Sequence, residues 1–376
     1  MKGKRSTSKK KPTRTPRAES AQAHSQTAEV TTPRSRPTRL LPAAAVMTSV
    51  TRIASFDGAR VSLLPRSEWA TGDYVLGEVP DTFDTPFDVE LTTGRMADVV
   101  AGDTIVGAFG RRSATLEAVG DWTEIGSDLR MHALTRAGVL GRATSATPFA
   151  RTRLVPLTYR GHVLIDGVKA TMPGFVRPVE RRPLMAPVVL VIGTSMSAGK
   201  TTSVIVLIRR LREMGLKVAA TKVTGVARYR EILGMSDAGA SPTVDFVDAG
   251  LPSTIVSAKA YRRALEHMLS RLAAGEPDVV VVECGSSPLE GYNVDVASAA
   301  LAPNVRCTVL CASDPYAVVG VATAYDVVPD LVAGKATSTD AGVALCERLS
   351  GVLSMNLIEP ATHPVLDTLL AEKLGL

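Results

Sequence analysis

Chemistry concentrates in one stretch of the chain, Gly193-Thr194-Ser195-Met196-Ser197-Ala198-Gly199-Lys200-Thr201-Thr202. Two glycines bound a loop that ends in Gly-Lys-Thr. Such a loop offers unpaired backbone N–H groups to an anion, a lysine that reaches terminal phosphates, and a hydroxyl for Mg²⁺. The usual spacing has four residues between the first Gly and Gly-Lys. Here Thr194 to Ala198 make five.

The flanks turn this match into a mechanism. Pro187–Ile192 is a continuous apolar run, as expected of a strand covered on both faces. After the loop, Val204, Leu207, Ile208, Leu211 and Met214 recur on one helical face, and Gly215 stands where a left-handed cap is wanted. Strand, phosphate loop and amphipathic helix together predict a P-loop.

The alternation then continues. Strands are expected at Lys217–Val223, Ser253–Ser257, Asp278–Cys284, Arg306–Ala312 and Gly351–Asn356, with helices at Tyr261–Ala274 and about Pro364–Leu374. Repeated βα units predict a doubly wound, mostly parallel α/β sheet over residues 186–376, with ligands at the C-terminal strand ends. Lys222, Glu283 and Asn356 fall at such ends, and Asp245 lies in the connection before the third strand. One hydroxyl and one or two carboxylates are what a Mg²⁺ beside a triphosphate needs, so Thr201, Asp245 and Glu283 are the candidate metal ligands. Lys200, Lys222 and Glu283 are the candidate catalytic groups.

Residues 48–180 read as a β-rich domain. Short runs such as Tyr74–Val79, Val89–Thr92 and Thr104–Phe109 are separated by turn residues at Asp57-Gly58, Thr93-Gly94, Gly102-Asp103 and Asp166-Gly167. Between Arg130 and Arg142 the periodicity is too weak to choose helix or strand. Arg111 and Arg112, after Gly110, read either as a solvated turn or as a bidentate grip on carboxylate or phosphate.

Composition bounds the rest. The 376 residues are 45% hydrophobic and 21% charged, which excludes wholesale disorder and a disulfide scaffold. The four cysteines form no CxxC pair and read as reduced, buried thiols of a cytoplasmic protein. The longest uncharged stretch, Pro183–Gly199, is 17 residues and ends in Gly, Ser and Thr, so no membrane helix is expected. The net charge of +6 is uneven: residues 1–40 hold 11 Lys or Arg against Glu19 and Glu29, leaving 32 basic and 35 acidic residues beyond. Residues 1–45 therefore read as a disordered basic tail, either solvated, or preceding a true start near Met47, or an arm for nucleic acid or acidic lipid. No aromatic residues interleave its cations for base stacking, so nucleic acid is not the favoured partner. The apolar run after it is short and broken by Pro42, a poor secretory signal.

The five-residue loop resembles that of dethiobiotin synthetase. Lys222 resembles that family's substrate-side lysine, Glu283 and the small residues after it resemble its Glu-Gly-Ala-Gly-Gly segment, and Asn356 resembles its adenine-contacting asparagine. The run from Lys200 through Lys222 to Ala238-Gly239-Ala240 also looks like the GTP-binding adaptor of molybdopterin-guanine dinucleotide synthesis. Glu283–Pro288 and Cys311–Pro315 are similar to an uncharacterised group of P-loop proteins with an extra N-terminal domain. Ser195 and Ser286-Ser287 depart from the dethiobiotin pattern, and the β-rich domain has no counterpart there.

The resemblance implies an enzyme dependent on ATP and Mg²⁺ that phosphorylates a small molecule at a carboxylate or carbamate. Ser286–Asn293 would line the acceptor pocket and Asn356 would contact the base. The rival is a nucleotide-switched adaptor that delivers a cofactor or metal to a client. Cys311-Ala312-Ser313-Asp314-Pro315 lacks the Asn-Lys-x-Asp guanine signature, which favours ATP over GTP. A homodimer is left open.

Overall fold

The computed structural model describes residues 37–81, 86–151 and 154–376. Most of the basic tail read from the sequence lies outside the described residues. Its end does not: Arg39–Leu40 forms a short strand paired with Arg60 and Val61, so ordered structure begins inside the stretch expected to be disordered.

The fold is mixed α/β, with a parallel sheet in the C-terminal half. Six strands lie in the order Thr243–Asp245, Val218–Thr224, Val279–Cys284, Val188–Gly193, Val305–Ala312, Leu331–Gly334, all parallel. Val188–Gly193 sits at its centre. Its alternate residues feed two cores: Val189 and Val191 face a cluster with Val204, Leu207, Ile208 and Leu211 of helix Lys200–Glu213, whereas Val188, Leu190 and Ile192 face another. That second cluster takes Tyr261, Leu265 and Met268 of helix Ala258–Ala273. Burial on both faces explains the unbroken apolar run, each such side chain contributing roughly 1.5–3 kcal/mol.

Three expectations are corrected. Ser253–Ser257 is not a strand; Ser253 makes an isolated bridge to Val226, and the edge strand is Thr243–Asp245. Gly351–Asn356 is likewise reduced to one bridge, Val332 to Ser354, while the sixth strand is Leu331–Gly334. Both true strands are three or four residues long, too short for a period to register. Asp245 therefore ends a strand and does not lie in a connection.

The preceding region is mostly β, an 11-stranded sheet plus the hairpin Phe87–Glu90/Met96–Val99, with one short helix at Pro148–Arg151 and four 3-10 turns among the described residues. Its longest strand, Val155–Ile165, is bulged between Tyr159 and Gly161. Gly161 has φ +136°, and a Cβ there would lie 2.6 Å from Val61 Cγ1, so only glycine fits the kink. Arg130–Ala133 and Val139–Ala146 form an antiparallel pair, which settles the ambiguous stretch as strand. Arg111–Ser113 is also a strand and not a turn. Val50, Tyr74, Val106 and Val139 of this region share one core with Val188, Ala219, Phe246 and Val280 of the parallel sheet.

Candidate active site

Gly193 and Gly199 explain how the loop closes. A Cβ on Gly193 would lie 2.7 Å from Lys200 Cδ, so its lack lets the lysine fold back over the loop. Gly199, at φ +106°, turns the chain into helix Lys200–Glu213. Lys200 is buried, and its Nζ donates to Ser195 O at 2.6 Å and more distantly to Met196 O. Burial lowers its pKa, with Glu283 acting in the opposite direction.

Both ends of the loop are anchored. Thr194 N donates to Cys311 O, and its hydroxyl accepts from Ser313 N at 3.0 Å. Ala198 O accepts from Lys335 N at 3.0 Å, just beyond the strand Leu331–Gly334. Ser197 is exposed and donates its hydroxyl to Glu117 of the β region at 2.8 Å. Thr202 is exposed on the first helical turn.

Register brings the charged residues together. Lys222 lies opposite Asp245 on one side and Glu283 on the other. Glu283 Oε1 accepts from Thr201 Oγ1 at 3.3 Å, while Oε2 is buried with no hydrogen-bond partner. Burial, reinforced by Glu231 and opposed by Lys222 and Lys200, pushes the Glu283 carboxyl up to about 7. Lys222 Nζ pairs with Glu231 on helix Tyr229–Asp237 and donates to Val226 O at 3.2 Å. Burial opposes its charge, but Glu231, Glu283 and Asp245 outweigh that and hold its pKa up.

Asp245 has a partner that the sequence does not reveal. Its Oδ1 accepts from Arg52 of the β region and from Val247 N at 2.8 Å, leaving Oδ2 buried and free. The arginine also faces Asp248 and stacks 4.5 Å from the centre of the Tyr229 ring. Asn356 is half-buried in the turn after Met355, where its Oδ1 accepts from Ile358 N.

A cleft of about 300 Å³ opens beside the loop. Met196, Ser197, Lys222, Glu231 and Glu283 line one side; Arg112, Glu117, Leu134 and Arg136 of the β region line the other. Ser286–Asn293, expected to line an acceptor pocket, instead clasps the β region: Tyr292 Oη accepts from Ser113 N and Glu290 from Thr115 N. Gly285, just before that stretch, does reach the cleft. Arg52 and Glu117 were invisible to pattern reading because each acts across a long sequence gap, and Glu231, nine residues from Lys222, because it carries no motif. The strand Leu331–Gly334 did leave a signal, the apolar run before Gly334-Lys335.

A buried lysine folded over a glycine-bounded loop, between a central parallel strand and its helix, is the geometry of a P-loop in an α/β fold. No family model and no curated protein sequence matches the chain. Among solved structures, it is similar to the 54 kDa signal recognition particle protein of Aeropyrum pernix in complex with GDP, at 20% identity and TM-score 0.32, over 53% of this chain and 48% of that one. HypB of Helicobacter pylori in complex with nickel is similar at 15% identity and TM-score 0.36, over 50% and 87%. A DUF1611 family protein of Anabaena variabilis is similar at 16% identity and TM-score 0.34, over 53% and 60%. The chain thus spans less than two thirds of the first and last of these.

Proposed function

We propose that the chain is a P-loop enzyme that uses ATP and Mg²⁺ to phosphorylate a small molecule at a carboxylate or carbamate, held in the cleft between the two sheets. The observation that carries this reading is the unpartnered, buried Glu283 Oε2 beside the Thr201 hydroxyl at the loop's mouth. A hard cation with oxygen ligands suits that pair, and Thr201 and Glu283 would hold it. Bound Mg²⁺ would neutralise charge developing on the transferred phosphoryl group.

The chain's own residues supply the rest. Lys200 would exchange the Ser195 and Met196 carbonyls for phosphate oxygens, joined by the loop amides from Thr194 to Thr202. Lys222, kept charged by its carboxylate neighbours, would face the acceptor. Asn356 would approach the base. Asp245 remains within reach of Lys222 across the register, but Arg52 occupies one of its oxygens, so we assign it to joining the two sheets and leave the metal to Thr201 and Glu283. The missing guanine signature after Val305–Ala312 supports ATP. Four buried free cysteines suit a cytoplasmic setting. Among the described residues no helix is long and apolar enough to cross a membrane.

A second reading, the nucleotide-switched adaptor, draws support from one surface. Tyr316, Val319 and Val328 are 70%, 40% and 86% exposed on and after helix Pro315–Tyr325, which follows a strand adjoining the P-loop strand. Apolar exposure of that kind suits a client protein. Purified protein with Mg²⁺-ATP separates the two. ADP formed only when a pool of small metabolites is added supports the enzyme; ADP formed only with a protein partner supports the adaptor.

A further inference from the structure

Two arginines line the cleft from opposite halves of the fold. Arg136 comes from the turn between strands Arg130–Ala133 and Val139–Ala146, and Arg228 immediately precedes helix Tyr229–Asp237. One buried residue, Glu90, ties the Arg136 turn to the helix turn that follows Arg228. Glu90 N donates to Arg136 O at 2.8 Å, while the Glu90 carboxylate accepts from Tyr229 N at 2.7 Å and Arg230 N at 2.9 Å. Its charge is thus absorbed by the helix N-terminus, leaving the guanidiniums unneutralised by it.

The arginines also retain donors. Arg136 uses Nε on Asp88 Oδ1 at 2.8 Å. Arg228 is 46% exposed, and its ion-pair partner among the described residues, Glu231, lies 3.9 Å away, beyond hydrogen-bond range. Of the cleft's other cations, Lys222 pairs with Glu231, and Arg112 gives its terminal nitrogens to Glu117 and Leu134 O, its remaining Nε being buried. A ligand's negative charge therefore finds its solvent-facing open donors at Arg136 and Arg228, whose side chains are 32% and 46% exposed. Leu116, 66% exposed, and the half-buried Met196 offer the cleft apolar surface.

We propose that Arg136 and Arg228 anchor an anionic group, carboxylate or phosphate, of the small molecule that fills this cleft, at a point other than its reacting atom. The acceptor is then an acid with an apolar middle, anchored at the arginines and presented to Glu283 and the P-loop. This rests on the cleft being the acceptor site.

Isothermal titration of the full chain tests it, with the nonhydrolysable ATP analogue AMP-PNP and Mg²⁺ saturating the P-loop. Glutarate and inorganic phosphate are the probes. At least one should bind the wild type, and which one does identifies the anchor's partner as carboxylate or phosphate. Arg136→Gln and Arg228→Gln should each weaken it roughly tenfold, as loss of a charge-assisted contact implies, and the double variant should lose it. AMP-PNP affinity should be the same in all four proteins. A wild type that takes up neither probe, or a folded double variant that binds as tightly as wild type, overturns the proposal. If AMP-PNP itself does not bind, the P-loop reading fails separately, and glutarate titrated into nucleotide-free protein still judges the anchor.

Discussion

The parallel sheet and the β region both bury charged groups, but they treat them differently. In the β region His162 is fully buried with both ring nitrogens engaged, one by Asp73 at 3.1 Å and the other by Tyr159 Oη at 2.6 Å; Lys169 closes on the same aspartate. At the parallel sheet's C-terminal end, Glu283 is nearly as buried yet keeps an oxygen without a partner. A leftover bonding position costs stability, roughly 1–3 kcal/mol. Asp73 Oδ1 is buried without a partner too, so what sets Glu283 apart is its place: it lines the cleft beside the glycine-bounded loop, and Asp73 does not.

The largest test of that contrast is Lys200→Ala. Nucleotide protection against thermal unfolding should vanish while the melting temperature of the free protein changes little, because the lysine bonds only to its own loop. Undiminished protection would remove the site. His162→Ala should do the reverse. Breaking its bonds to Asp73 and Tyr159 should cost about 3–5 kcal/mol in denaturant unfolding, by cavity and lost hydrogen bonds together, while folded protein keeps its nucleotide affinity.

Glu283→Gln probes the cleft carboxyl through pH. The carboxyl rises from 4.5 to about 7 on folding, so native protein holds the proton between those values and its ionisation is penalised above them. Stability from this group is therefore full below about 4.5 and lost as pH rises through 7. At pH 8 the glutamine variant should be more stable than wild type by up to about 3 kcal/mol, and the difference should disappear near pH 4. Wild-type turnover should fall below pH 7 with a one-proton limb. The smallest effect is expected from removing residues 1–36: unchanged turnover sets the basic segment apart from catalysis, whereas a loss would return nucleic acid or acidic lipid to consideration.

The parallel sheet was legible because its function is local. Gly193 to Thr202 is contiguous, and the strand and helix around it carry full-length patterns, so the P-loop could be read without tertiary knowledge. Lys222 and Glu283 were legible as strand ends, and the register sets them side by side. Short edge strands were not, since Thr243–Asp245 and Leu331–Gly334 span at most two periods of side-chain alternation. Nor was the far wall of the cleft. Arg52 meets Asp245 across 193 positions and Ser197 meets Glu117 across 80, and no spacing rule connects such distant residues.

The shared core has a consequence for how the molecule comes apart. Val188, Leu190 and Ile192, which precede the P-loop directly, lean on the same apolar cluster as Val50, Tyr74 and Val106. Melting either half strips the other of its neighbours, so residues 37–376 should give a single endotherm in calorimetry. Limited proteolysis should not release a folded P-loop fragment, and evolution could not exchange the upstream half without repacking the strand that feeds the nucleotide loop.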